Sequence, residues 1–183
     1  MNKYPTLKTE RLTLTNPKVS DIPNIIQYAG NIKVAKNTLN MPHPYFEKDA
    51  IFWLNMAHTG FQNRDKYIFG IRLKTTNELI GGMGLHLMIP YNRAELGYWI
   101  AEPFWNKGYA SEAAGEVLKF GFKTLNLNKI FATHLIENPA SGKVMLKNGM
   151  IKEGTLKDHF KKDGKYRTVH QYRLTKEEYE QLK

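Results

Sequence analysis

Residues 94 to 137 read as strand, helix and strand in quick succession. AELGYWIAE at 94 to 102 is an apolar, aromatic-rich strand pattern, and KIFATHLIE at 129 to 137 is another. Between them YASEAAGEVLKFGFKTLN sets Ala110, Ala113, Ala114, Val117, Leu118 and Phe122 at helical spacing toward a sheet. Strands joined through a helix in this way form a βαβ crossover, with the two strands parallel and the connection right-handed. That unit commits the second half of the chain to a helix-covered sheet.

The flanking segments fill in the remainder. RLTLTNP at 11 to 17 alternates Leu12 and Leu14 with polar residues and stops at Asn16-Pro17, as a first strand would. Ser20-Asp21 then caps the helix DIPNIIQYAGN, whose proline falls in the first turn and whose Gly30 lies near its end. After a looser stretch with Pro42 and Pro44, FEKDAIFWLNMAHTGF carries Phe46, Ala50, Trp53, Leu54 and Ala57 on one helical stripe. YIFGIRLK, a turn at Thr76-Asn77, and ELIGGMGLHLMIP lead into AELGYWIAE as a meander, with Gly81, Gly82 and Gly84 weakening its second strand. A helix from about Pro139 to Lys147 and a hairpin turning at Lys161-Lys162-Asp163-Gly164 follow, and TKEEYEQLK is a polar tail. The order is a strand, two helices, a meander, then helix, strand, helix and two strands: an α+β arrangement, mostly antiparallel in its first half.

Composition bounds the function. With 183 residues, 42% hydrophobic and 12% aromatic, residues 1–183 suit a single domain folded throughout. Without cysteine there is no disulfide, thiolate metal site or covalent cysteine intermediate, and the histidines show no metal-ligand spacing, so no metal is expected. No apolar run reaches the roughly 18 to 20 residues of a membrane span, and the chain reads as cytoplasmic. A formal charge of +10 favours an anionic partner: nucleotide cofactor, RNA, ribosome or anionic lipid. The basic excess from Lys157 to Arg167 reads as a solvated hairpin edge.

FWNKGYASEA at 104 to 113 turns from the first crossover strand into its helix. A helix N-terminus has free N–H groups and partial positive charge, so such a turn is a ready phosphate seat. Gly108 permits backbone angles and close approach that a side chain would block, and Lys107 adds a cation. Taken alone, NKG is better explained by an eased turn and a solvated lysine.

Its neighbours change that weighting. TERLTL at 9 to 14, ELGYWI at 95 to 100, FWNKGYASEA, NPAS at 138 to 141, LKNGM at 146 to 150 and EGTLKD at 153 to 158 run in order across nearly the whole chain. Together they resemble the GCN5-related N-acetyltransferases, and more closely the ribosomal-protein N-terminal acetyltransferase branch. The resemblance implies a mixed, mostly antiparallel sheet of about six to seven strands with helices on both faces and a splayed central strand pair. It implies acetyl-coenzyme A as donor, its pyrophosphate on the turn formed by Asn106, Lys107, Gly108, Tyr109, Ala110 and Ser111. The pantetheine arm would lie along Tyr98, Trp99, Ile100 and Ala101 like an added strand, with its amides bonded to Asn138; helix capping is the alternative for Asn138. Where the branch usually has Gly, Glu, Phe and an acidic residue, this chain has Asn106, Leu146, Met150 and Thr168. Asn106 tolerates a left-handed backbone, whereas the change at Thr168 bears on the acceptor site.

Acetyl transfer to an amine needs a free amine, an oxyanion donor and a proton for the departing thiolate. The pKa to overcome is about 7.7–8.0 for an α-amine against 10.4 for lysine. The resemblance implies a backbone N–H near Ile100 for the oxyanion. It points to Ser141 as the acid, because in related enzymes that hydroxyl would face the cofactor sulfur, with helix capping an equal alternative; the tyrosine many relatives carry at the position of Met145 is absent. Glu95 is the candidate base, against an ordinary strand-end carboxylate; His159 and His134 read as surface and structural histidines. Phe46, Phe52 and Trp53 border the acceptor cleft or belong to the core. The expected reaction is direct attack in a ternary complex by a protein N-terminal α-amine, a ribosomal protein among the candidates. A polyamine, an antibiotic or another small amine is the alternative acceptor, though a polyamine calls for an acidic cluster that the sequence lacks. From another class, the fold could serve as a non-catalytic RNA- or ribosome-binding module. Monomer and homodimer both stay open.

Overall fold

The computed structural model describes residues 3–182. Among the described residues eight strands form a single sheet in the order β1-β2-β3-β4-β5-β6-β8-β7. These are β1 (Leu7–Lys8), β2 (Leu12–Thr15), β3 (Lys66–Leu73), β4 (Leu79–Met88), β5 (Arg93–Ile100), β6 (Lys129–Leu135), β7 (Ile151–Lys162) and β8 (Lys165–Thr175). All neighbours pair antiparallel except β5 and β6, the parallel pair of the crossover. The strand total exceeds the expected six to seven because Leu7–Lys8 adds a short edge strand, Leu7 opposite Leu14.

Six α-helices accompany the sheet among the described residues: α1 (Ile22–Ala29), α2 (Ile32–Lys36), α3 (Glu47–Asn63), α4 (Tyr109–Lys119), α5 (Pro139–Lys147) and α6 (Lys176–Gln181). Helix α4 covers one face through Ala113, Ala114, Val117 and Leu118, and Phe122 of the π turn after it joins the same core with Leu12, Leu14, Phe69 and Leu85. On the other face α1 and α3 bury Ile25, Ala29 and Ala50 against Leu79, Trp99 and Ala101. Each fully buried Leu, Ile or Phe contributes about 1.5–3 kcal/mol, so these two layers hold the sheet.

Several local expectations change. Asp21 stands at the N-cap of α1 as expected, but its side chain makes no cap bond there: the residue ends a 3-10 turn, accepts the Lys18 N–H at 2.7 Å and pairs in the interior with Arg72 at 2.5 Å. The short helix α2 interrupts the supposed loop, its N-terminus capped by Asn31. Strand β4 runs unbroken through its glycines, because Gly82 makes room for indoles: a Cβ there would lie 2.5 Å from Trp53 Cζ2 and 2.9 Å from Trp99 Nε1. The final hairpin turns one residue later than expected, on Asp163 and Gly164 at φ 50° and 75°, both left-handed as a tight two-residue turn demands. The polar tail is helix α6, closed by a Thr175–Glu178 capping box, with Tyr179 stacked on Phe122.

Candidate active site

Strands β5 and β6 pair only from Arg93–Lys129 to Glu95–Phe131, after which they part. Beyond that point β6 stays on β8 through Leu135, while β5 stays on β4 through Ile100. The Ala101 amide donates to Ile80 of β4 at 2.9 Å. Because backbone groups alternate along a strand, the amides of Tyr98 and Ile100 face the wedge instead. The Ile100 carbonyl is already taken by the Trp105 indole at 2.7 Å, which leaves the Ile100 N–H on that side. The wedge opens into a cleft of about 910 Å³ that spans the sheet.

At one end lies the turn into α4. Asn106 and Gly108 are both left-handed, at φ 60° and 81°, so the chain folds back on itself just before the helix. Gly108 stands at the N-cap with no side chain to occupy the first-turn amides, and Asn106, Gly108, Tyr109, Ala110 and Ser111 line the cleft. Arg11 braces this turn. Its Nη1 donates to the Lys107 carbonyl at 3.0 Å, its Nε pairs with Glu112 at 2.7 Å, and its guanidinium lies over the Tyr109 ring. Glu112 also receives the Thr9 hydroxyl and the Arg11 amide, and these bonds hold its carboxyl below the usual range against the opposing effect of burial. Lys143 and Lys147, one turn apart on α5, add cations to the cleft wall. An anion is therefore met by free amides and several positive side chains.

Midway along the wedge the Tyr98 hydroxyl donates to Ser141 Oγ at 2.8 Å, and burial pushes the Tyr98 pKa up to about 12. Ser141 is not the cap of α5. Asn138 is: its Oδ1 accepts the Ser141 N–H at 3.3 Å, while its Nδ2 donates to the Asn37 carbonyl at 3.2 Å. Both ends of the Asn138 amide are thus engaged within the protein. The Ser141 hydroxyl remains for the cleft. Ala101 and Lys107 stand apart from the other expected cofactor residues and do not line the cleft. Ala101 is fully buried with its amide on β4, and the Lys107 ammonium lies over the Phe104 ring.

Glu95 sits at the apex, in the last paired position before the strands diverge. Burial raises its carboxyl pKa, partly offset by the Thr133 hydroxyl at 3.2 Å and by His159. His159 stands where β7 bulges between Leu156 and Phe160, its ring edge-on to Phe160. Thr168 fills that bulge by accepting the Asp158 N–H at 3.2 Å. His134 is buried, with Nδ1 on the Leu135 carbonyl and a pKa lowered chiefly by desolvation. Phe52, Trp53 and Met56 of α3 wall the cleft over Gly82 and Gly84, whereas Phe46 is exposed outside it.

Residues 11–151 match the Acetyltransferase (GNAT) domain family. The chain belongs to that family. It is an acetyl-CoA-dependent N-acetyltransferase. The uncharacterized N-acetyltransferase p20 of Bacillus licheniformis is 36% identical over 178 residues, 95% of this chain and 98% of that protein. The ribosomal-protein-serine acetyltransferase of Escherichia coli is 34% identical over 82 residues, 44% of this chain and 46% of its own length. A GNAT-family acetyltransferase structure from Bacillus anthracis superposes with a TM-score of 0.83 at 29% identity, covering 94% of this chain and 99% of that one. The residues present fit acetyl-CoA: a side-chain-free, cation-rimmed helix start suits its phosphates, and unpaired β5 amides suit an extended amide-bearing arm.

Sequence reasoning missed the partners that hold these groups. Thr133 carries no signal of its own in the sequence, and the resemblance gives Tyr98 only a place along the donor. Arg11 lay inside a quoted motif, TERLTL, without a role. Lys162 reads in the sequence as part of a solvated hairpin, yet its ammonium donates to the Ala35 carbonyl at 2.5 Å and to the Thr38 carbonyl, tying the hairpin to the end of α2.

Proposed function

We propose that the acceptor is the N-terminal α-amine of a protein, a ribosomal protein among the candidates, and that this amine attacks acetyl-CoA directly in a ternary complex. The observation that carries the reading is Glu95 at the wedge apex, a carboxyl raised by burial and held by Thr133. A carboxylate of this kind takes up the proton of an α-amine, with a pKa of about 7.7–8.0, far more readily than that of a lysine at 10.4. Partial similarity to a ribosomal-protein-serine acetyltransferase supports the same class. The cleft offers little to a polycation. Its acidic lining residues are Glu95 and Asp49, and Asp49 is engaged by the Phe46 amide at 2.8 Å.

Each group then has a task. The α4 amides, with Arg11 bracing their turn and Lys143 and Lys147 on the cleft wall, hold the phosphates, and the Tyr98 carbonyl and the Ile100 N–H hold the arm. Bound acetyl-CoA supplies an acetyl group activated as a thioester. Glu95 accepts the amine proton through bridging water as the new N–C bond forms, and the Tyr98 N–H, the wedge-facing amide nearer to Glu95, faces the developing oxyanion in place of the Ile100 N–H, which lies about 16 Å from Glu95 along β5. Ser141 donates its proton to sulfur as the C–S bond breaks, with Tyr98 holding its oxygen from the opposite side. Asn138 serves by fixing the start of α5, so that Ser141 is aimed.

The test is a panel of N-terminal peptides, lysine-bearing blocked peptides, spermidine and simple amines, with free thiol followed after addition of acetyl-CoA. Turnover on free N-terminal peptides above the other classes is expected; preference for spermidine or for blocked lysyl peptides would overturn the reading.

A further inference from the structure

We propose that Gly97 is an acceptor-specificity residue, whose missing side chain leaves the space over β5 in which the apolar body of the acceptor lies. The inference rests on the reading above only in taking the Glu95 end of the cleft as the acceptor end. Gly97 occupies the middle of a central strand, opposite Gly84. Glycine in a strand interior costs about 0.5–1 kcal/mol relative to alanine, so its presence there calls for a cause.

The usual causes fail at this position. Gly97 is not among the residues with positive φ, unlike Gly108, Gly149 and Gly164. Crowding also fails. A Cβ on Gly81 would meet the Trp99 carbonyl oxygen at 2.4 Å, one on Gly82 would meet Trp53 at 2.5 Å, and one on Gly84 would meet Ile68 Cγ1 at 2.9 Å. A Cβ on Gly97 would have nothing within 4 Å. Gly154 is equally open, but it lies at a bulge in the edge strand β7, which is itself a backbone reason for glycine. Gly97 lines the cleft. A glycine in a strand without a backbone or packing reason marks close approach by something else.

What approaches is set by the residues around it. Strand alternation puts Gly97 on the same face as Glu95 and Trp99, each about 7 Å away along β5. Phe52, Trp53 and Met56 of α3 stand across the cleft. For an amine whose nitrogen reaches Glu95, the way along β5 over Gly97 is the one that no side chain fills, and it runs between a carboxylate and an aromatic-thioether wall. The chemistry recognised is a single amine attached to an apolar, flat-sided group.

The experiment uses Gly97→Ala and Gly97→Leu in the full chain, with three acceptors: a peptide with free N-terminal phenylalanine, 2-phenylethylamine and ethylamine. For the wild type, the two phenyl-bearing amines are expected to outperform ethylamine. Gly97→Leu should raise KM for both by at least about tenfold, as pocket occlusion does, while ethylamine KM and the CoA dissociation constant stay within about twofold. Gly97→Ala should melt no lower than the wild type. Equal losses on all three acceptors, a parallel loss of CoA affinity, a lower melting temperature for Gly97→Ala, or a wild type that prefers ethylamine would each overturn the inference. Turnover of 2-phenylethylamine without turnover of the peptide would sink the α-amine reading alone, and Gly97 would still be judged by the KM ratio between 2-phenylethylamine and ethylamine. Turnover of none of the three would overturn both.

Discussion

Placing a carboxylate at the turn into α4 is the direct test of the phosphate seat. Gly108 is left-handed at φ 81°, and a Cβ there would lie 3.3 Å from Arg11 Nη2, so any side chain brings backbone strain of about 1–3 kcal/mol. Gly108→Ala carries that strain without charge and is the reference. In Gly108→Asp, a unit negative charge about 5 Å from a phosphate is repelled by about 3 kcal/mol at an effective dielectric constant of 20. Arg11 is partly exposed and near enough to pair with the new carboxylate, which returns up to about 1 kcal/mol. The net 2–3 kcal/mol corresponds to a CoA dissociation constant about 30- to 150-fold weaker than that of Gly108→Ala. Calorimetric titration with CoA reads this ratio, and raising the salt should shrink it. Equal affinities for the two variants would remove the phosphate from this turn.

Ser141→Ala should lower turnover by about a hundredfold while leaving the acetyl-CoA dissociation constant unchanged, and should cost about 1–3 kcal/mol of stability by stranding the Tyr98 hydroxyl. Tyr98→Phe should cost less rate, since Ser141 keeps its own proton; an unaltered rate in Ser141→Ala would make its hydroxyl structural. For Glu95 the raised carboxyl pKa means that the folded state binds the proton more tightly than the unfolded chain. Its stabilising contribution is present below the unfolded pKa of about 4.3 and is lost as pH rises through the folded value. Glu95→Gln should therefore raise the melting temperature more at pH 7.5 than at pH 4, and should remove the acidic limb of the kcat/KM profile; survival of that limb would transfer the base role elsewhere. Arg72→Met leaves Asp21 buried without its cation, and denaturant unfolding should show a loss of about 3–5 kcal/mol.

The elements that the sequence made legible are those with several periods of pattern. Helix α5 runs from Pro139 to Lys147 as proline, Asn138 and the following spacing imply, and α3 keeps Ala50 and Ala57 buried on the expected stripe. Strand β1 escaped notice because two residues with one buried leucine carry no alternation. Helix α2 escaped because five residues complete too few turns to show a period. The turn before α4 was legible because Gly and Asn announce backbone angles by their own chemistry. Side-chain partnerships were not. Tyr98 and Ser141 are 43 residues apart and Arg11 and Glu112 are 101 apart, and no local rule of spacing reaches across such distances.

Strand β5 shows why so much of the site could be read from one stretch and yet not be divided within it. ELGYWI has three directions. Glu95, Gly97 and Trp99 face α3, Leu96, Tyr98 and Ile100 face α4, and the backbone of the second set meets the wedge. Counting the stretch as a cofactor strand grouped Trp99 and Ala101 with Tyr98 and Ile100, although strand parity separates them. Trp99 packs edge-on to Trp53 and lines the cleft from the α3 side, and Ala101 gives its amide to Ile80, so neither presents a free amide to the wedge. Parity also assigns consequences. Changes at Glu95 and Gly97 should move acceptor parameters, changes at Tyr98 should move turnover, and a bulky residue at Ile100 should disturb the arm. One eight-residue strand can serve both substrates because its neighbour β6 leaves it after Glu95. Were the two strands paired to their ends, the Tyr98 and Ile100 amides would be bonded across the sheet, and no route would join the α4 face to the α3 face.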